Sequence, residues 1–331
     1  MPSTPPRSWH RRIAAFLAVA YGITWLLEGI GLIASGGRGT GELTAFAVFG
    51  PAIAGLWLSR DGERASVRRP LSQWALAAAI WLACWAIGYC SIAPEIRERF
   101  GLAAAALTGV VALIPASICC ASFLASDSGV RRSASALTSF ARWPWALVAA
   151  ALFALFLVGT VFLPEPLRGP VSRPRLPAAP NVAALFVALT FLRTFVYAGG
   201  VGEEPGWRGF LLPTLQERYS PLIASLVVWF FWALWHLPLD INGYVGTTFA
   251  AYLDNRLLRL LPITIIMTWL YNRSGGSVLT TAVFHTSMNT FPSFLPSAAG
   301  VVWVLWLWAA VVVVIERMWQ PRPQAFVAST A

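Results

Sequence analysis

The sequence predicts an all-α protein, a polytopic transmembrane helical bundle with about eight to ten spans. Three observations lead there. Apolar residues make up 57% of the 331 residues and charged residues only 11%, whereas a soluble domain carries about 25% charged and about 45–50% apolar residues. Mean hydropathy is +0.66. The apolar residues also fall in runs long enough to cross a bilayer core about 30 Å thick, at a helical rise of about 1.5 Å per residue. The 17 Trp suit such a chain, because Trp favours the lipid–water interface. Water-soluble single-domain, disordered and collagen-like chains fit this composition poorly.

The first span is expected at 13–34, behind Arg7, Arg11 and Arg12. It is too long for a signal-peptide core and has no convincing small-residue cleavage site, so it reads as an uncleaved anchor. Spans at 43–59, 71–93 and 102–126 follow, with a charged loop around 60–69. A loop holding Arg131, Arg132 and Arg142 leads to a fifth span at 144–163. The Pro- and Arg-rich stretch 164–180 reads as an extended loop. Further apolar stretches lie at 182–200, 221–239, 257–271, 277–291 and 301–315. Three regions result: N-terminal transmembrane helices at 1–181, a chemically distinct helical core at 182–295, and a final transmembrane helix with a cytoplasmic tail at 296–331.

The formal charge is +10, and all 24 basic residues are Arg. In a soluble protein this would raise nucleic acid as a partner. Here the Arg residues flank apolar runs, where they meet lipid phosphates and set topology. The expected partner is the bilayer, and nucleic acid is not expected. With the N-terminus in the cytoplasm, ten first-half Arg fall on the cytoplasmic side and six outside. Cys84, Cys90, Cys119 and Cys120 lie within apolar runs without metal or disulfide spacing, and read as small hydrophobes.

An ionisable group inside an apolar run is a functional candidate, because burying it costs about 2.5–3.5 kcal/mol or more. His236 and His285 lie in such runs, Glu203 and Glu204 adjoin one, and Glu28 and Arg193 are unassigned outliers that would suit an ion pair. Glu204 and Arg208 are four apart and share a helical face. Pro205 fits a first helical turn, so a helix is expected to start near Glu204. Adjacent helical residues diverge, so Arg208 holds only one Glu. Glu204 is the better placed, and Glu203 becomes the candidate base. His236 follows Trp232 by one turn and precedes Asp240 by one turn, an aromatic wall and a candidate carboxylate orienter. His285 and Asn289 place an imidazole and an amide on one face, able to bind a metal or donate to an oxyanion. A solvated Glu–Arg cluster, a packing His and interhelical hydrogen-bond glue are the plainer readings of each element alone. If 182–200 ended at the interface, Glu203 would lie about 22 Å from His236. The glycines at 199–202 are therefore expected to break the helix. The segment 203–218 would then re-enter and line a water-filled cavity.

These elements, Glu203-Glu204 through Arg208, Trp232 to His236, and His285 to Asn289, resemble the signature of the CPBP family of intramembrane proteases. That family includes type II CAAX prenyl endopeptidases and abortive-infection (Abi) or bacteriocin-immunity proteins. The pattern is E-E-x-x-x-R, F-x-x-x-H and H-x-x-x-N, with Trp232 here in place of Phe. The resemblance covers about 193–291. It implies a CAAX-protease-like catalytic core in a multi-pass protein of a bacterial plasma membrane. The implied activity is endopeptidase cleavage of a membrane-associated or hydrophobic peptide or protein. Glu203 would activate water with help from His236, Arg208 would hold Glu204, and His285 with Asn289 would stabilise the oxyanion or share in metal binding. The H-E-x-x-H zinc spacing is missing. A metalloprotease with zinc on His236 and His285 and a metal-free glutamate mechanism both stay open. A non-catalytic immunity or regulatory protein and a proton-coupled transporter using Glu203, His236 and Glu28 are the competing readings. Visible internal symmetry, common in transporters, is missing from the sequence.

Overall fold

The computed structural model describes residues 9–36, 44–63, 69–241 and 248–321. Arg7, Arg38, Arg64, Arg68 and the end of the expected tail lie outside them. The first half comprises α1 (Trp9–Ala34), α2 (Thr44–Ala47), α3 (Gly50–Leu58), α4 (Leu71–Cys90), α5 (Pro94–Leu124), α6 (Ser128–Thr138), α7 (Trp143–Thr160) and α8 (Glu165–Arg168). The second half comprises α9 (Pro180–Tyr197), α10 (Gly199–Gly206), α11 (Leu212–Gln216), α12 (Pro221–Trp235), α13 (Leu237–Ile241), α14 (Phe249–Leu253), α15 (Leu260–Arg273), α16 (Val278–Thr290) and α17 (Val301–Ile315). Among the described residues five helical runs are long and apolar enough to cross a membrane, and three shorter apolar helices accompany them. This is the polytopic helical bundle that the composition predicts.

The structure corrects several local expectations. The Arg131–Arg132 segment is not a loop but lies on α6, whose N-terminus is capped by Asp127 accepting from Val130 N at 3.1 Å. Ala134 and Leu137 are buried on its inner face, so an amphipathic helix forms where the charges suggested a loop. Asp61 ties the preceding turn to α6, accepting from Ser128 Oγ at 2.5 Å and Arg132 Nη2 at 2.7 Å. Burial pushes the Asp61 carboxyl up, but the Ser128 hydroxyl, the Glu63 backbone N–H and Arg132 outweigh it. The group is held below the usual carboxylate range. The fourth span follows a kink at Gly101, whose φ of +45° favours glycine, so it begins where expected, and a further short helical stretch from Pro94 precedes it. One small non-helical feature joins the two halves: Val171–Ser172 (β1) pairs antiparallel with Ser297–Ala298 (β2).

The expected helix break also moves. The run from Pro180 to Gln216 is helical for 37 residues except at Ala198, whose φ of −140° and ψ of −138° end α9. The glycines after it are helical rather than irregular. Pro205 sits inside α10, not in a first turn, and is followed by a π-helical turn at Trp207–Leu211. The glycines instead serve packing. A Cβ at Gly202 would come within 2.9 Å of Val48 O, and one at Gly206 within 2.2 Å of Pro51 O. Gly55 on α3 answers from the other side, where an added Cβ would stand 2.8 Å from Pro205 O. Backbone thus meets backbone between α3 and α10, as small residues allow between membrane helices.

Candidate active site

The three sequence elements occupy three neighbouring helical segments. Glu203 and Glu204 lie on α10, with Arg208 in the π turn beyond it. His236 is the residue that ends α12, and His285 and Asn289 lie on α16. All eight residues of α10 are buried. The glycines that let α10 approach α3 therefore also carry two carboxyl groups into the protein interior.

The two glutamates take different partners. Glu204 Oε1 accepts from Arg208 Nη1 at 2.8 Å, with both side chains fully buried, and lies 2.8 Å from His285 Nδ1. The Arg208 guanidinium stacks over Trp232, 4.1 Å from Cζ to the ring centroid, a cation–π contact that offsets part of its burial. Glu203 is not paired with Arg208. Its Oε2 accepts from the Trp232 indole N–H at 2.6 Å. One tryptophan thus links the two glutamates, with its face on the arginine that holds Glu204 and its N–H on Glu203.

His236 is oriented differently from the expectation. Its Nδ1 lies 2.7 Å from Trp232 O. A carbonyl only accepts, so Nδ1 carries the hydrogen and Nε2 keeps a lone pair. Asp240 does not orient it. The Asp240 carboxylate accepts from Arg256 Nε at 2.7 Å and Nη2 at 2.6 Å, a buried bidentate pair that turns it away from the imidazole. The Trp235 ring meets the His236 ring edge-on at 4.8 Å. Gly199, the first residue of α10, makes room for His285 of α16: a Cβ there would stand 2.3 Å from His285 Nε2.

Glu203, His236, His285 and Asn289 line one cavity of about 1250 Å³. Its remaining wall is mostly apolar, with Phe46, Ile96, Phe100, Leu107 and Met288 among the lining residues. Asn289 is the exposed member of the set. Glu204 and Arg208 stand behind this wall. Glu28 and Arg193 also line the cavity, yet no ion pair joins them among the described residues. Trp232 as hydrogen-bond donor to Glu203 and Arg256 as partner of Asp240 were not legible in the sequence. Arg256 adjoins the apolar stretch 257–271, and no local spacing marks its pairing with Asp240.

A catalytic zinc takes about three protein ligands and an open position. Among the described residues no group of three or more His, Cys, Asp or Glu side chains has metal-holding geometry. Glu204 already serves Arg208 and His285, and Asp240 serves Arg256. The residues present do not complete such a site.

Residues 183–291 match the family described as type II CAAX prenyl endopeptidase Rce1-like. The chain is also 33% identical over 135 residues to a protein of Methanococcus maripaludis named CAAX prenyl protease 2. That similarity covers 39% of this chain and 49% of the relative, so the chain spans about half the length of the curated relative it matches. The family resemblance carried by the three motifs is thereby borne out across the segment that builds the site.

Proposed function

We propose that this chain is an intramembrane endopeptidase that hydrolyses a peptide bond in a membrane-associated or hydrophobic peptide. One observation carries the reading: a carboxyl group, two imidazoles and a carboxamide from three separate helices meet on the wall of one mostly apolar cavity. Glu203 is the general base. The Trp232 N–H holds its Oε2 and leaves the group to take a proton from a water in the cavity. His236, with Nδ1–H given to a carbonyl, accepts from that water through Nε2 and aims it. The hydroxide attacks the scissile carbonyl, and the Asn289 amide donates to the oxygen on which charge develops. Glu204 and Arg208 act from behind, and His285, in the wall itself, ties α16 to Glu204 on α10. Collapse of the intermediate breaks the C–N bond, and the departing amine takes up a proton.

The apolar remainder of the cavity supports a hydrophobic substrate, and the bilayer would deliver it. The test is cleavage of a hydrophobic peptide library by protein purified in detergent. Wild type is expected to cleave, and Glu203→Gln to lose at least about a hundredfold in rate, as removal of a general base does. Equal cleavage by both proteins would end this assignment of Glu203. A wild type inert on every peptide, whose biological effect survives Glu203→Gln and His236→Ala, would favour the non-catalytic regulatory reading. Activity that withstands zinc chelators is expected. Loss with chelator and recovery with zinc would overturn the metal-free mechanism.

A further inference from the structure

The mechanism leaves one carboxyl group of the cavity unused. Glu28 lies in α1, far from the motifs in sequence, yet is only 1% exposed and lines the same cavity as Glu203. Its Oε2 is buried and meets no hydrogen-bond partner. It lies within electrostatic reach of Glu203 and Asp240, both acids. An unpartnered charge is costly to bury, so the neutral acid is the form this setting tolerates.

Its position is fixed from two sides. Tyr21 Oη donates to Phe231 O at 2.5 Å and Trp25 Nε1 to Trp235 O at 3.0 Å. These bonds pin α1 to α12, the helix of Trp232 and His236. Thr24 Oγ1 donates to Ala47 O at 2.6 Å, and Gly50 packs so closely that a Cβ there would stand 2.5 Å from Thr24 Oγ1. Glu28 follows Thr24 by one turn, so the same helical face that is locked to the neighbouring helices carries the acid into the cavity.

We propose that Glu28 is a second catalytic carboxyl group, the acid that protonates the departing amine. The proposal rests on the hydrolase reading of Glu203. Glu203 removes a proton from water as the C–O bond forms. Glu28 gives its own proton to the nitrogen as the C–N bond breaks. The proton held by Glu203 then returns to Glu28 through cavity water, and both groups are restored.

The test compares two substrates of one acyl sequence, a peptide amide and a p-nitrophenyl ester, whose phenolate leaves without needing a proton. Glu28→Gln is expected to lower kcat on the amide by about a hundredfold or more, the lower end of general acid catalysis. KM should change little, and ester turnover should be largely kept. Glu28→Asp, which retains the acid, is expected to recover part of the amide rate. An unchanged amide rate in Glu28→Gln, or equal losses on amide and ester, would overturn the proposal. So would ester turnover in Glu28→Asp without any gain on the amide over Glu28→Gln. Failure of the underlying reading looks different: wild type would cleave neither substrate, or Glu203→Gln would retain both activities.

Discussion

The α4–α5 pair and the α10–α12–α16 core are both apolar, yet they are built on different terms. Helix α4 buries a single residue, Cys84, along its whole length. Its contact with α5 is fastened by two indoles, Trp81 Nε1 to Gly109 O at 2.9 Å and Trp85 Nε1 to Ala105 O at 3.0 Å. Leu71 and Leu102 point outward at 87% and 85% exposure, as lipid-facing side chains would. Helix α10, by contrast, is wholly buried although it holds four glycines and two glutamates. Hydrophobicity does not mark the interior of such a protein, since lipid is as apolar as leucine. Small residues and satisfied polar groups mark it instead.

This contrast is easiest to break where charge is buried. Arg208→Ala would leave the Glu204 carboxylate without its guanidinium, and a broken buried pair costs about 3–5 kcal/mol. The expected outcome is a large fall in thermal midpoint in detergent, together with loss of any cleavage. A small fall would mean that His285 alone suffices for Glu204. On the outer pair the equivalent insult is a charge added to a lipid-facing position. Leu82, half exposed on α4, changed to Arg is expected to cost about 2.5–3.5 kcal/mol of insertion at the span centre. Membrane-insertion yield would show it, while Leu82→Phe inserts normally.

Glycine substitutions sharpen the same contrast with a smaller effect. Gly206→Ala drives a Cβ into the Pro51 carbonyl, an overpacking expected to cost about 1–3 kcal/mol. Gly159, near the end of α7, has nothing within 4 Å of an added Cβ, so Gly159→Ala should be neutral or stabilise by up to about 1 kcal/mol. Equal behaviour of the two in thermal unfolding would show that α3 and α10 are not tightly packed. The smallest effect is electrostatic and lies at the surface. Because the Asp61 carboxyl is held below its ordinary value, its contribution is present above an unfolded pKa of about 3.9 and fades as pH falls further. The exposed Asp61–Arg132 pair is worth about 0.2–1 kcal/mol. The thermal midpoint should therefore drop slightly more between pH 6 and pH 3 in wild type than in Asp61→Asn.

Local sequence signals were sufficient for much of the site. The four-residue spacing of Glu204 and Arg208 already contains their ion pair, and the divergence of neighbouring helical residues separates Glu203 from Glu204. The same kind of reasoning failed for Asp240. One turn from His236 it had the right spacing, but Arg256, sixteen residues away, offers two charge-assisted hydrogen bonds in a fork that the imidazole cannot match. It was one residue off for the glycines: the helix breaks at Ala198, just before them, and residues 199–202 are themselves helical. The charges of α6 suggest a loop, but its Asp127 cap and the three-residue spacing of its buried Ala134 and Leu137 make it a helix.

The sequence by itself determined that this chain is helical and apolar enough to cross a membrane many times, and where along the chain the ionisable groups fall. Runs and spacings are properties of one strand, and they survive without knowledge of neighbours. Only the tertiary structure decided which groups meet: the Trp232 indole on Glu203, the Arg256 fork on Asp240, and α1 pinned so that Glu28 reaches the cavity. Those contacts join residues up to about two hundred positions apart, and their reach is set by how closely glycines and indoles let helices pack, which no local spacing encodes.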